Sequence, residues 1–182
     1  MSRIQSPQVA PANPRPILTG QDEERQEAQD CLISLMDRYE RGLYSYLLTL
    51  LRDPETARDC AQDAFMRAYE QLQRGKPVNG NWLYTVARNR AIDSFRARRR
   101  LEPQSDLLEQ IAVQQHSIEG AVDVQDVLAL LSPQDRELLY LYEIAGFNTE
   151  EIGAMVGVRG TAIRQRLSRA RERFRRLYLA AP

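Results

Sequence analysis

The chain has 182 residues, of which 43% are hydrophobic and 27% charged, so one or two small domains with apolar cores are expected. Its 25 basic residues balance 25 acidic residues, so no net positive charge indicates nucleic-acid binding. All basic residues except Lys76 are arginine, which suits bidentate contacts with phosphate and guanine, although a genomic codon bias explains the excess equally well. No run approaches the ~18 apolar residues of a membrane span, and residues 1–20 lack the apolar core of a signal peptide.

Catalytic and metal-binding patterns are missing from the sequence. Cys31 and Cys60 are the only cysteines, no Cys-x-x-Cys occurs, and His116 is the only histidine, so neither a metal site nor a cofactor is predicted. Both cysteines fall in apolar-periodic runs and are predicted to be buried free thiols, which suits the reducing cytoplasm. No nucleophile–base pair or phosphate loop is present, so an enzyme with catalytic residues is the least favoured class of protein.

The first half of the chain predicts an arm followed by three helices. Residues 1–22 contain four prolines and are expected to form a disordered arm. Apolar residues spaced three and four apart predict a helix from about residue 23 to 52, in which Gly42 is a candidate break or bend. Asp53 and Pro54 predict the N-cap and first turn of a second helix, which ends at the loop QRGKPVNGN. The segment WLYTVARNRAIDSFRARRR predicts a third helix.

The second half predicts a linker and a further helical unit. Residues 102–121 combine acids, glutamines and weak periodicity, which indicates an acidic linker. From residue 122 to 182 a helical pattern returns, and Ser132, Pro133 and Asp135 are typical of a helix start. No strand-type alternation and no internal repeat were found. The predicted fold is therefore all-α, with two small helical domains joined by a flexible linker.

The stretch AMVGVRGTAIRQRLSRARERFRRL, residues 154–177, predicts that the C-terminal domain contains a helix-turn-helix. Gly153 would let the two helices approach closely, and Gly157 would adopt the left-handed conformation that ends the first helix. Apolar residues of the second helix recur at steps of four and three, so this stripe is predicted to face inward. Its members are Ile163, Leu167, Ala170, Phe174 and Leu177.

Two of the predicted helices are strongly basic. Residues 159–176 hold eight arginines and one acid, Glu172, so ion pairs along the helix cannot neutralise the charge, and major-groove contact is predicted over a solvated surface. The segment ARNRAIDSFRARRR holds six arginines against Asp93 and follows Trp82. Basic residues beside an aromatic ring suit a DNA strand with unstacked bases, although Trp82 alone fits a core position at least as well.

Three motifs occur in a fixed order along the chain. They are DPETARDCAQDAFMRAYEQL, then WLYTVARNRAIDSFRARRR, then SPQDRELLYLYEIAGFNTEEIGAMVGV followed by RQRLSRARERFRR. Together they resemble the second-region helix, the promoter-reading helix and the C-terminal helix-turn-helix of the extracytoplasmic-function (ECF, group IV) sigma factors of bacteria, over roughly residues 28–178. The resemblance implies a region 2-like domain at residues 23–101 and a region 4-like domain at residues 122–182.

The resemblance also implies a function. The chain would be an alternative sigma factor that binds core RNA polymerase, directs it to specific promoters and assists DNA melting, with an anti-sigma factor as a further partner. Polymerase binding is implied for Asp53, Asp59, Gln62, Asp63, Phe65 and Met66. Contact with the −10 element and melting DNA is implied for Trp82, Asn89, Arg90, Asp93 and Arg96. Contact with the −35 element is implied for Arg159, Thr161, Arg164, Gln165, Ser168, Arg169 and Arg171.

Two other classes of protein remain open at the level of sequence. A dimeric helix-turn-helix regulator that acts without being a polymerase subunit would explain residues 123–178, but not the basic helix at residues 82–100. Such a dimer would bind palindromic sites. A helical interaction protein without a DNA role would bind its partner regardless of salt, whereas DNA binding by many arginines weakens steeply as the salt concentration rises.

Overall fold

The structure, a computed structural model, describes residues 20–101 and 124–180, and within these ranges the chain forms helices and no strand. The helices are α1 (Gly20–Leu51), α2 (Pro54–Gln73), α3 (Gly80–Leu101), α4 (Val124–Ala129), α5 (Pro133–Leu139), α6 (Thr149–Val156) and α7 (Gly160–Ala180). A π-helical turn, Tyr140–Ile144, continues α5. Of the predicted arm, residues 20–22 belong to α1 and the rest lies outside the described residues, as does the predicted linker at residues 102–121.

Helices α1, α2 and α3 form the first unit. Asp53 caps α2 by accepting hydrogen bonds from the Glu55 amide and the Thr56 hydroxyl, and Pro54 occupies the first helical position, as predicted. Of the break or bend considered at Gly42, the break does not occur, because α1 runs through this residue without interruption. A Cβ at that position would lie 2.9 Å from the Tyr84 hydroxyl oxygen. The lack of a side chain at Gly42 therefore lets Tyr84 of α3 approach α1 closely. Small residues of α2 pack against α1 and α3: Ala57, Cys60, Ala61, Ala64 and Ala68.

The two cysteines differ in their surroundings. Cys60 is buried, as predicted, and its thiol lies 3.7 Å from the Ser94 hydroxyl. Burial raises the pKa of this thiol above its ordinary value. Cys31 is exposed, so the prediction for it is wrong. Cys31 is exposed although Ala28, three positions before it, and Leu35, four positions after it, are buried.

Helices α4 to α7 form the second unit, and its local structure follows the sequence closely. Ser132 caps α5, and Asn148 caps α6 in a capping box with Glu151. Gly157 ends α6 with φ 72°, in the left-handed conformation expected of it. A Cβ at Gly153 would lie 2.4 Å from the Val158 carbonyl oxygen, so the turn requires glycine there. The apolar stripe of α7 faces inward, with Ile163, Leu167 and Ala170 buried and Phe174 and Leu177 packed at its edge.

The two units are packed directly against each other. Their buried residues form one contiguous apolar cluster. An aromatic row crosses the contact, with ring centroids 5.2 Å apart for Tyr46 and Tyr84, 5.7 Å for Tyr46 and Tyr140, and 5.0 Å for Tyr84 and Phe147. The chain therefore adopts a closed arrangement in which α1 and α3 of the first unit contact α5 and α6 of the second.

Candidate nucleic-acid interface

Helix α7 presents its polar face to solvent at the edge of the helix-turn-helix. The Arg159 carbonyl accepts hydrogen bonds from the Ala162 and Ile163 amides at 2.9 and 3.1 Å, so Arg159 stands at the helix start. Since the apolar stripe faces inward, the remaining positions point outward. Every residue predicted to contact the −35 element is exposed: Arg159, Thr161, Arg164, Gln165, Ser168, Arg169 and Arg171.

Two of these arginines are held by acids from other elements. The Arg164 guanidinium donates to Glu150 at 2.9 Å, from α7 to α6. Arg171 donates to Glu143 at 2.7 Å and lies 4.9 Å from the centroid of the Tyr142 ring. The hydrogen bond to Glu143 raises the pKa of the Arg171 guanidinium. Counting the acidic residues within α7 does not reveal these partners, because Glu150 and Glu143 both lie outside the helix.

Other arginines at the start of α7 and along its exposed face make no ion pair with any residue in the described ranges. They include Arg159, Arg166 and Arg169. Their exposed guanidinium groups are available to phosphate oxygens or to the O6 and N7 of guanine. Arg166 was not among the predicted contacts. Its position on the outward face of α7, between Gln165 and the buried Leu167, is the signal that could have found it.

Helix α3 carries the residues predicted to contact the −10 element. Asn89, Arg90, Asp93 and Arg96 are exposed along one side of the helix, and Trp82 is half-buried at the edge of the core. Arg90 donates to Asp63 at 2.5 Å, and Arg96 lies 3.8 Å from Asp93. The Trp82 amide donates to the Asn79 side chain at 2.9 Å, so this loop residue fixes the start of α3.

Arg88 belongs to the same basic segment but does not face outward with it. Its guanidinium points into the contact between the two units and donates to Glu137 at 2.7 Å. The interpretation of this segment as one continuous DNA-facing cluster is therefore wrong for Arg88. Its partner lies 49 positions away, so no local pattern indicates the pairing.

Helix α2 exposes three of the six residues predicted to bind polymerase. Asp59, Gln62 and Met66 are exposed, and Met66 is 57% exposed despite its apolar side chain. Phe65 is only 7% exposed, because its ring fills the core of the first unit, so it is not available for direct contact in this conformation.

Asp53 and Asp63, the other two predicted polymerase contacts, are half-buried in ion pairs with α3. Arg98 donates to Asp53 at 2.6 Å, and Arg90 holds Asp63 as described above. The hydrogen bond from Thr56, followed by that from Arg98, lowers the pKa of the Asp53 carboxyl.

Comparison with known proteins agrees with this division into units. Residues 35–101 match the family model Sigma-70 region 2, and residues 121–174 match Sigma-70, region 4. The ECF RNA polymerase sigma factor SigM of Bacillus subtilis is 32% identical over 151 residues, covering 77% of this chain and 90% of SigM. The chain belongs to the ECF sigma factors. This sigma factor therefore directs RNA polymerase to promoters, and the presence of both regions disfavours the dimeric regulator.

Other similar proteins extend over nearly the same length. The RNA polymerase sigma factor CarQ of Myxococcus xanthus is 29% identical over 161 residues, covering 84% of this chain and 92% of CarQ. The solved structure of the sigma factor RpoE with the anti-sigma factor NepR from Bartonella quintana has a TM-score of 0.64 and 27% identity, covering 88% of this chain and 99% of RpoE. In the described part of this sigma factor, no helix is both long and apolar enough to cross a membrane.

Proposed function

We propose that this sigma factor divides promoter recognition between two separate surfaces. The outward face of α7 would bind the −35 element, and the exposed side of α3 would bind the −10 element as it melts. The exposed face of α2, around Asp59, Gln62 and Met66, would bind core RNA polymerase. The observation that carries the proposal is the exposed group of unpaired arginines on α7, which no acid among the described residues neutralises.

The proposal extends to partners and place of action. Regions 2 and 4 would correspond to domains at residues 23–101 and 122–182. An anti-sigma factor would be a further partner, since the similar RpoE was solved in complex with one. The protein would act in the cytoplasm, where its polymerase and promoters are, and would carry no catalytic activity of its own.

The test is reconstitution with purified core RNA polymerase, followed by footprinting on a pool of promoter fragments. A 1:1 complex that protects both elements and opens a bubble is expected. A dimer that binds palindromic DNA without polymerase would contradict the proposal and favour a regulator. Binding to neither partner would point to an interaction protein. Raising the salt concentration should weaken DNA binding steeply, because each contacted phosphate releases counterions.

A further inference from the structure

Two arginines share one side of α7, and each is held by an acid from another element. Arg164 and Arg171 are seven positions apart, about two turns, so they lie on the same side of the helix. Glu150 of α6 accepts from Arg164, and Glu143 of the π-helical turn accepts from Arg171. Arg171 also lies against the Tyr142 ring, whereas no second ion pair or ring contact holds Arg164 within residues 20–101 and 124–180. The orientation of Arg164 therefore depends on Glu150.

The Glu150 carboxylate is fixed through both of its oxygens. Arg164 Nη2 donates to Oε1 at 2.9 Å, and the hydroxyl of the buried Thr149 donates to Oε2 at 2.8 Å. The hydrogen bond from Thr149, followed by those from the Glu150 backbone amide and from Arg164, lowers the pKa of this carboxyl. The carboxyl is therefore ionised at neutral pH and places one negative charge at a defined position beside α7.

Gly160, the first residue of α7, leaves room for this carboxylate. A Cβ at Gly160 would lie 2.9 Å from Glu150 Oε1 and 3.2 Å from its Cδ. The backbone of Gly160 is not left-handed, so the absence of a side chain, and not an unusual φ, is what this position uses. Arg164 follows Gly160 by four positions and lies on the same side of the helix. The acid thus sits close to the start of α7, where the helix dipole favours a negative charge.

The pair of Glu150 and Arg164 is too exposed to be explained by folding. Their side chains are 65% and 64% exposed, and ion pairs exposed to this extent contribute little to stability. A role in binding fits their position better. Arginine has five N–H donors, so a guanidinium that gives one to Glu150 keeps others for DNA. Because its orientation is already fixed, it loses less conformational freedom when it binds.

The Glu150 carboxylate also favours one kind of DNA acceptor over another. A phosphate that approached Arg164 would bring its negative charge close to the carboxylate and be repelled, whereas guanine O6 and N7 are uncharged acceptors. Contacts with phosphate carry no sequence information, but contacts with base edges do. Glu150 therefore shifts the balance at Arg164 from sequence-independent binding towards reading of a base.

We propose that Glu150 is a positioning residue for the −35 element, which holds Arg164 for contact with a guanine edge and disfavours contact with phosphate at the same place. The inference rests on the proposed binding of the −35 element by α7. It gives α6 a part in sequence discrimination, although the Glu150 carboxylate itself would be repelled by the DNA backbone. Loss of Glu150 should reduce discrimination between sequences while raising the affinity for DNA in general.

The experiment measures the affinity of the holoenzyme, formed from the full chain and core RNA polymerase, for the promoter fragment recovered by footprinting. A set of fragments with each base pair of the −35 element replaced in turn gives the discrimination at every position. Glu150→Gln is expected to lower discrimination about 2- to 5-fold at one G·C pair, in keeping with the strength of an exposed ion pair, and to bind the replaced fragments more tightly. Arg164→Ala should lose more discrimination at that pair, and adding Glu150→Gln to it should have no further effect there.

The matched control is Glu143→Gln, which removes one negative charge from the same side of α7. It should leave the discrimination at this pair unchanged, because the Tyr142 ring still contacts Arg171. Gly160→Ala separates the position of the Glu150 carboxylate from its charge. The added methyl group would displace the flexible end of Glu150 and keep its charge, so discrimination should fall without a general gain in affinity. Thermal unfolding establishes that each variant is folded.

The outcomes separate the positioning role from the proposed function. Three results would overturn the role of Glu150 and leave −35 binding by α7 in place. They are unchanged discrimination in Glu150→Gln, a loss spread equally over all positions, and a loss that persists in the Arg164→Ala background. A wild-type holoenzyme that binds every fragment equally would contradict the proposed function, and the positioning role with it.

Discussion

Arg90 Nε donates to Asp63 Oδ2 at 2.5 Å, so a residue of the proposed −10 surface is paired with a residue of the proposed polymerase surface. The pair joins α3 to α2. Its side chains are 42% and 39% exposed, so it is expected to contribute only ~0.2–1 kcal/mol to stability. Changes at either residue should therefore be visible in binding rather than in folding.

Asp63→Asn is expected to weaken binding to core polymerase while leaving the melting temperature within a few degrees of wild type, because the loss of an exposed ion pair changes stability little. Titration of labelled core polymerase measures the affinity. Arg90→Gln is the matched control, since it breaks the same pair and keeps the carboxylate, and it should bind polymerase normally. Equal losses in both variants would show that the pair, and not the Asp63 carboxylate, supports polymerase binding.

Arg169→Ala is expected to weaken binding to −35 DNA by ~1–3 kcal/mol if the guanidinium reads a base. If Arg169 contacts a phosphate, the loss should be uniform across sequences and the salt dependence should become shallower. Fluorescence anisotropy on a holoenzyme with wild-type and mutated −35 elements distinguishes the two. Arg25→Ala, on the exposed part of α1, controls for loss of one positive charge. Unchanged binding in Arg169→Ala would remove this residue from the interface.

Asn89→Ala is expected to impair promoter opening and to leave polymerase binding intact. Asn89 is exposed on α3, and its amide can donate and accept hydrogen bonds with an unstacked base. Permanganate reactivity of thymines in the bubble measures opening, and co-purification with core polymerase measures binding. A loss of co-purification would place Asn89 in the polymerase interface instead.

Gly153→Ala is expected to destabilise the second unit by ~1–3 kcal/mol, because the new Cβ would lie 2.4 Å from the Val158 carbonyl oxygen. Gly157→Ala should cost about 1–2 kcal/mol, since its φ of 72° is unfavourable for alanine but no atom lies within 4 Å of the added carbon. Urea unfolding of both variants gives the comparison. A larger effect at residue 157 than at residue 153 would mean that the backbone relaxes around the added methyl group.

Asp53→Asn is expected to reduce the loss of stability in acid. The folded protein lowers the pKa of Asp53, so its stabilising contribution is complete above the unfolded pKa of about 4 and is lost as the pH falls through the folded pKa. The difference in the free energy of unfolding between about pH 7 and about pH 3 should be smaller in the variant. Asp59→Asn is the control, since it removes a negative charge from α2 and leaves the Asp53 carboxyl in place. If this difference is the same in Asp53→Asn as in the wild type, the Asp53 carboxyl does not contribute to the pH dependence of stability.

Local signals in the sequence were sufficient for the helices and for the helix-turn-helix. The caps at Asp53 and Ser132 and the left-handed Gly157 depend on neighbours within a few positions, so their chemistry is visible in the sequence. The apolar stripe of α7 is predictable for the same reason.

Pairings between distant residues could not be predicted in this way. The basic neighbours of Arg88 indicate a DNA-facing cluster, but its environment is set by Glu137, 49 positions later. The acids that hold Arg164 and Arg171 come from outside α7, which is why a charge count along one helix overestimated its free positive charge. The exposure of Cys31 was not predictable from the apolar periodicity of α1, because a periodic run does not specify how deeply each of its positions is buried.

The aromatic row of Tyr46, Tyr84, Tyr140 and Phe147 has a consequence for solubility. In the closed protein these rings cover one another across the contact between the units. Separation would wet them at a cost of about 25 cal/mol for each Å² of apolar surface exposed. A chain whose units had separated, without a partner, would therefore expose one apolar face on each unit and would tend to self-associate. The closed packing of the four rings is therefore expected to protect the free protein from aggregation.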